Sequence, residues 1–409
     1  MSWPIIDGER MLARLRTLGG IGAIESGGCT RLAFSDEDAC ARDLIRTWLE
    51  QAGAVVTVDS IGNLYGVVQG TSPQAPIMTG SHIDTVVRGG QLDGCYGVVA
   101  GIEMLQAIRD AALQPVACLA VAVFSNEEGV RFSPDLLGSR VIAKDISLED
   151  ALATESRDGN SVGAELNRIG YAGQSSPWAL LPSVFVELHI EQGPCLEADG
   201  KAIGIVEGVQ GHSWWEVKVH GCANHAGTTP MPLRLDAGMA AMRLACALSA
   251  AASVEHLPAV ATIGTFALEP NAINVVPGLA RFTVDFRDVE DVRLREADLL
   301  LRAEAAKLEA LGFTVQLSHL SRALSVKFDA TLCDTLEATA KARGASTQRM
   351  VSGASHDAQM MATLCPTAML FVPSIGGISH NPKEKTHDED LVAGAQILTD
   401  ALWSLATPA

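Results

Sequence analysis

Between Asp7 and Gly53 the apolar positions recur at helical spacing. Met11, Leu12, Leu15 and Leu18 form one stripe, with Asp7 placed to cap it and Gly19-Gly20 to end it. Ala39, Leu44, Ile45 and Leu49 form a second, capped by Ser35 or Asp36 and stopped at Gly53. Short β-branched runs follow at 54–58, 64–68 and 77–79, then a helix over 98–108. Residues 116–124 are apolar without a break, which fits a strand covered on both faces. This alternation predicts an α/β fold on a mixed, mostly parallel sheet.

Near Gly211 the period changes. Trp214, Glu216 and Lys218 alternate with Trp215, Val217 and Val219, as in a half-exposed antiparallel strand over 213–220. An Ala-rich helix over 236–252, strands over 259–267 and 281–287, a long helix over 289–311 and a strand over 314–318 complete an α+β unit. After Val326 the first pattern resumes, with a helix over 331–343, a loop at 351–357, a strand over 368–372 and a closing helix over 391–406. The pattern predicts one domain, 1–211 and 326–409, interrupted by an inserted domain, 212–325.

The 30 Lys and Arg stand against 48 Asp and Glu, a net charge of −18, which argues against nucleic acid or an anionic membrane as partner. The longest apolar run, 115–124, is half of the ~20 residues a membrane span needs. Met1-Ser2-Trp3-Pro4 does not open a basic-then-apolar leader. Nine cysteines without CxxC spacing read as reduced thiols, and the expectation is a cytoplasmic protein.

The candidate chemistry clusters after the strands. His82 and Asp84 follow the run 77–79 and share a face, so the carboxylate can hydrogen-bond the imidazole as metal-bound histidines require. Asp93 sits among glycines in Gly89-Gly90-Gln91-Leu92-Asp93-Gly94, where a backbone must approach something closely. Glu127 and Glu128 follow the most apolar strand, where burial must raise at least one pKa unless a cation compensates. His189 and His380 follow two further apolar runs. Each signal alone also fits a solvated loop, a helix-capping acid or a packed histidine. Together, three histidines with carboxylates suit Zn²⁺ or a neighbouring ion. There is no phosphate loop and no GxSxG nucleophile elbow.

The motifs GSHIDTV (80–86), GGQLDGCYGV (89–98), NEEGVRF (126–132), ELHIEQGP (187–194), NHAGTTPM (224–231), NAINVVPG (271–278), FTVDFR (282–287), SGASHDAQ (352–359) and GGISHNPKE (376–384) resemble the hydantoinase/carbamoylase amidases. These belong to the wider clan of dinuclear aminoacylase- and carboxypeptidase-like metallohydrolases. The resemblance implies a zinc-peptidase-like catalytic domain and an inserted ferredoxin-like domain for dimerisation and as a lid. It implies two divalent cations, Zn²⁺ or Mn²⁺ with Co²⁺ or Ni²⁺ as alternatives. Asp93 would bridge them, with His82 and His189 on one and Glu128 and His380 on the other. Glu127 would be the base and Asp84 would orient His82. Gln192, Asn274 and Arg287 would contact a small ureido or amide substrate bearing a carboxylate. His225 would reach the partner subunit's site, stabilising the oxyanion and implying a homodimer. The implied activity is hydrolysis of N-carbamoyl-L-amino acids. Allantoate or ureidoglycolate hydrolysis, aminoacylase or dipeptidase action, and a silent binding protein are the alternatives. Ser355 and Leu235 depart from the family pattern, and Gly208, Gly211 or the segment near Ser325 would serve as hinges.

Overall fold

The computed structural model describes residues 3–407. The chain divides into two compact units, Met1–Glu207 with Lys327–Ala409, and Gly208–Val326.

The first unit is built on a sheet ordered Val55–Val58, Leu64–Val68, Leu119–Phe124, Ile77–His82, Val184–Ile190, Thr367–Val372 and Ile203–Val209. Its four central strands, Leu119–Phe124 through Thr367–Val372, are parallel, and the outer ones join antiparallel. Those four are buried almost throughout, as the unbroken apolar run requires. Parallel strands end at one edge, and register pairs His82 with Phe124 and His189 with Phe371 there. Helix Cys95–Asp110 lies along Ile77–His82 and is itself packed by Asp388–Ala406.

Ser35, not Asp36, caps the second helix, and Asp7 caps the first. The helix expected from 98 begins at Cys95, because Gly94 takes the cap position at φ +64. Asp93 is therefore not a capping acid. The predicted strand 314–318 continues to Ala323, since a register shift between His319 and Ser321 breaks the alternation. The loop expected at 351–357 is narrowed to residues 353–356, between strand Thr347–Ser352 and helix Asp357–Met361. Short helices at Leu137–Ala143, Leu148–Ala153 and Val162–Arg168 fill a region where the pattern assigns nothing. Five to seven residues are too few to display a helical period.

The second unit's main elements run strand, helix, strand, strand, helix, strand, and Asn224–His225 with Val275–Val276 forms a separate two-stranded ladder. Its antiparallel sheet is ordered Thr314–Ala323, Gly211–His220, Leu279–Asp288, Val260–Glu269. Helices Ala237–Ala250 and Asp291–Ala310 cover one face, burying Trp215, Val217, Phe282, Phe286, Leu244 and Leu301. The stretch Ala237–Glu255 is long and apolar enough by composition to cross a bilayer. Its inner face is taken by this core, as in a globular helix.

Phe371 is 1 % exposed in the central sheet, with its ring centroid 6.4 Å from that of His189. Phe371→Ala is expected to cost about 3–5 kcal/mol in urea unfolding, and a loss below about 1 kcal/mol would contradict this packing.

Candidate active site

Beyond the C-terminal edge of the parallel strands, three imidazoles converge on one carboxylate. His189 Nε2 lies 3.1 Å and His82 Nε2 3.6 Å from Asp93 Oδ1, and His380 Nε2 lies 3.2 Å from Oδ2. His380 is also 3.6 Å from Glu128 Oε2, and His82 is 3.5 Å from Glu127 Oε2. His82, Asp84, Asp93, Glu127 and His189 are buried, while His380 is half-exposed. The glycines around Asp93 have a concrete reason. A Cβ on Gly94 would stand 2.4 Å from His82 Nε2, and one on Gly90 would stand 1.8 Å from Glu384 Oε1.

The ring orientations aim the Nε2 atoms of His82 and His189 toward Asp93. His82 Nδ1 donates to the main-chain carbonyl of Asp84, and His189 Nδ1 to that of Ile190, each at 2.9 Å. Neutral rings so held present Nε2 as an acceptor. This corrects one expectation. The Asp84 carboxylate stands 3.9 Å from His82 Nδ1 and instead accepts the N–H groups of Glu127 and Glu128, each at 3.2 Å. Asp84 thus orients His82 through its carbonyl and the two glutamates through its carboxylate.

The electrostatics follow from burial. Burial would raise the Asp93 pKa, but hydrogen bonds from His189, His380 and His82 hold it well below the usual carboxylate range. Burial disfavours the His82 cation, yet Glu127, Asp93 and Asp84 outweigh it and keep the ring well above the ordinary imidazole pKa. Burial pushes Glu127 well above its ordinary value, against the opposing pull of His82 and with repulsion from Asp357, Glu128 and Asp84 adding to it. Glu128 is pushed up to about 7 by burial and by Asp93. His380 rises to about 9 on its hydrogen bond to Asp93. Protons thus offset much of the negative charge.

Whether cations fit is answered by the donor set. His82, Asp93 and His189 form one group, and Asp93, Glu128 and His380 another, with the ligand atoms of each group within 4.8 Å of one another. The two groups share Asp93. Glu128 Oε1 is buried without a hydrogen-bond partner, an acceptor that a cation would satisfy. Nitrogen and oxygen donors in these numbers suit a borderline divalent ion. A further group, Glu187, His189 and His356, is already served. Glu187 accepts from Ser81 Oγ at 2.7 Å and from the Ala358 N–H at 2.9 Å, and His356 Nε2 meets Ser352 Oγ at 2.9 Å.

Gln192 adopts φ +59 and donates from Nε2 to Asp93 Oδ2 at 2.8 Å. His225, Asn274 and Arg287 lie in the second unit, at two different places. Val275 pairs with His225, and Asn274 accepts from the Ala226 N–H, beyond the Leu279 end of strand Leu279–Asp288. Arg287 is at the other end, about 30 Å away for ten extended residues, and is paired with Asp285 at 2.9 Å. Arg234 staples the His225 loop through the carbonyls of Thr229 and Ala226, and Leu235 uses its own main chain to hold Cys222.

Sequence reasoning missed Glu384. Its Oε1 accepts the N–H groups of Leu92 and Asp93 at 3.0 and 3.1 Å, and its Oε2 accepts from Ser379 beside His380. It therefore ties Asp93 to the His380 loop. An acid four residues after His380 is visible in the sequence, but its distant partners are not. Asp357, buried and bonded to Ser139 Oγ at 2.6 Å, was likewise missed.

Residues 78–404 match the model of Peptidase family M20/M25/M40, and the chain belongs to this family. Within it, the likeness is to hydantoinase/carbamoylase amidases. A crystal structure of a hydantoinase/carbamoylase family amidase from Burkholderia multivorans superposes with TM-score 0.96 at 40% identity, covering 98% of each chain. The N-carbamoyl-L-amino-acid amidohydrolase of Rhizobium meliloti is 37% identical over 98% of this chain and 97% of its own length. The allantoate amidohydrolase of Bacillus subtilis is 36% identical over 94% of each.

Cation binding must displace the protons on His380, near 9, and Glu128, near 7. Both groups are protonated below those values, so affinity for Zn²⁺ is expected to fall as pH drops below 9, more steeply below 7. Calorimetry of chelator-stripped protein at pH 7.5, in buffers of different ionisation enthalpy, should record net proton release. No release would contradict this ligand set.

Proposed function

We propose that the protein hydrolyses the ureido C–N bond of N-carbamoyl-L-amino acids, releasing the amino acid, carbon dioxide and ammonia. That it is a hydrolase of non-peptide C–N bonds is supported by its family and by full-length relatives of that kind. The single observation that carries the site is the convergence of three imidazoles on Asp93 with Glu127 alongside. Allantoate is the runner-up substrate, on the strength of relatives only slightly less similar.

In this reading His82, His189 and Asp93 hold one divalent cation, and Glu128, His380 and Asp93 the other, Zn²⁺ or Mn²⁺ by donor type. Bound there, such ions supply Lewis acidity that polarises the ureido carbonyl and acidifies water. Glu127 Oε2, 3.5 Å from His82 Nε2, takes the water's proton and returns it to the leaving nitrogen. Gln192, whose buried Oε1 has no partner, offers that oxygen to the ureido N–H groups. Arg287 grips the substrate carboxylate by two hydrogen bonds, Asn274 contacts the substrate, and His225 stabilises the oxyanion.

We read the second unit as an inserted ferredoxin-like domain that closes as a lid and mediates a homodimer. The support is the strand order and the separation of Arg287 from His225 and Asn274. Two ends of one strand about 30 Å apart cannot both serve one small substrate, whereas two copies can each lend one end. A cytoplasmic location is supported by nine cysteines, all free.

Glu127→Gln is expected to keep metal content and Tm while lowering kcat about 10²- to 10⁴-fold on N-carbamoyl-L-amino acids. Unchanged kcat would remove Glu127 from the mechanism. Glu127→Gln and His225→Ala homodimers should each be inactive, and subunit exchange should restore about a quarter of wild-type activity. No recovery after verified exchange would contradict action across the interface.

A further inference from the structure

Arg31 is fully buried, yet the hydrogen-bond partners of its guanidinium include no carboxylate. Elsewhere the fold pairs buried guanidiniums with acids, Arg42 with Asp38 at 2.8 Å and Arg14 with Glu103 at 3.1 Å. Burying an unpaired cation is costly, and only a full set of acceptors makes it tolerable. Arg31 finds them in main-chain carbonyls and thiols. Nε donates to Ile83 O at 2.8 Å, Nη1 to Ile21 O at 2.7 Å and Leu18 O at 3.0 Å, and Nη2 to Cys95 Sγ at 3.0 Å. Its own main chain is bonded twice to Thr85, from N to Oγ1 at 2.8 Å and from O to the Thr85 N–H at 2.9 Å.

These contact points lie against the candidate ligands. Ile83 stands between His82 and Asp84, Thr85 follows Asp84, and Cys95 is two residues past Asp93. The segment 82–85 is therefore clamped from one side by a single residue. That residue's far nitrogen also holds the chain immediately after the Gly94 turn. Asp84 in turn fixes the Glu127 and Glu128 main chain. The neutral partners have a reason as well. Asp84, Asp93, Glu127 and Glu128 already crowd this edge, and a further carboxylate to pair Arg31 would add to their repulsion.

We propose that Arg31, with Thr85, is a positioning residue of the reaction, setting His82, Asp84 and Asp93 in register with one another rather than merely filling the core. The inference rests on the function proposed above. The planar fork matters as much as the charge, because one ammonium cannot reach Ile83, Ile21 and Cys95 together.

The test compares wild type, Arg31→Lys and Thr85→Val. Each is stripped with chelator and titrated with Co²⁺, whose visible absorption reports ligand geometry, and each is assayed after Mn²⁺ loading. Arg31→Lys is expected to weaken Co²⁺ binding about 10- to 100-fold and to alter the absorption bands. Its kcat should fall about 10²-fold with KM changed less than about threefold. Thr85→Val, which removes one hydroxyl from the clamp, should shift binding and kcat in the same direction by a smaller factor at near wild-type Tm. If Arg31→Lys does not fold, Thr85→Val decides alone. Variants that lose Tm but keep wild-type Co²⁺ affinity, spectrum and kcat overturn the inference, leaving Arg31 a packing residue. Wild-type protein that binds no metal overturns this inference and the proposed function together. A metal-binding, active wild type with unaltered variants overturns this inference alone.

Discussion

The structure depends on how four carboxylates are kept within reach of one another at a buried sheet edge. Asp84, Asp93 and Glu127 are buried and Glu128 nearly so, and their mutual repulsion would be prohibitive if all were ionised without compensation. Three devices meet that cost. Asp84 spends its charge on two main-chain N–H groups. Asp93 takes hydrogen bonds from three imidazoles. Glu127 and Glu128 hold their protons to higher pH. The same arrangement that is awkward for protons is apt for two divalent cations sharing Asp93.

Much of the surrounding architecture serves this edge. Parallel strands buried on both faces deliver His82, the Glu127-Glu128 pair and His189 to the same side, because their ends are aligned by register. Glycine at 94 lets the chain pass His82, and Glu384 holds Asp93 and the His380 loop with one side chain. With three short restraints the Glu384 carboxylate keeps its geometry where a loop acid would wander.

Local features carried most of what was legible in the sequence. The unbroken apolar run to Phe124 identified the central strand, and motif likeness singled out His82, Glu128, His189 and His380, which the structure groups with Asp93. Long-range partnerships were not legible. Glu384 lies 291 residues from Asp93, and Arg31 meets Cys95 across 64. Nothing local distinguishes these from solvated residues. Asp84 was misjudged for a related reason. Period-2 spacing put its carboxylate on the face of His82, but the chain turns after the strand, and the carbonyl arrives first. A bulge similarly hid the end of strand Thr314–Ala323 from its alternation.

On the proposed function, the Asp93 cluster works only when two cations share it. The most direct measurement is ammonia release from an N-carbamoyl-L-amino acid by chelator-stripped protein, followed against equivalents of added Mn²⁺. Turnover should be absent without metal and should rise to saturation near two ions per chain. Full turnover by verified metal-free protein, or saturation with no metal retained at the cluster, would contradict it.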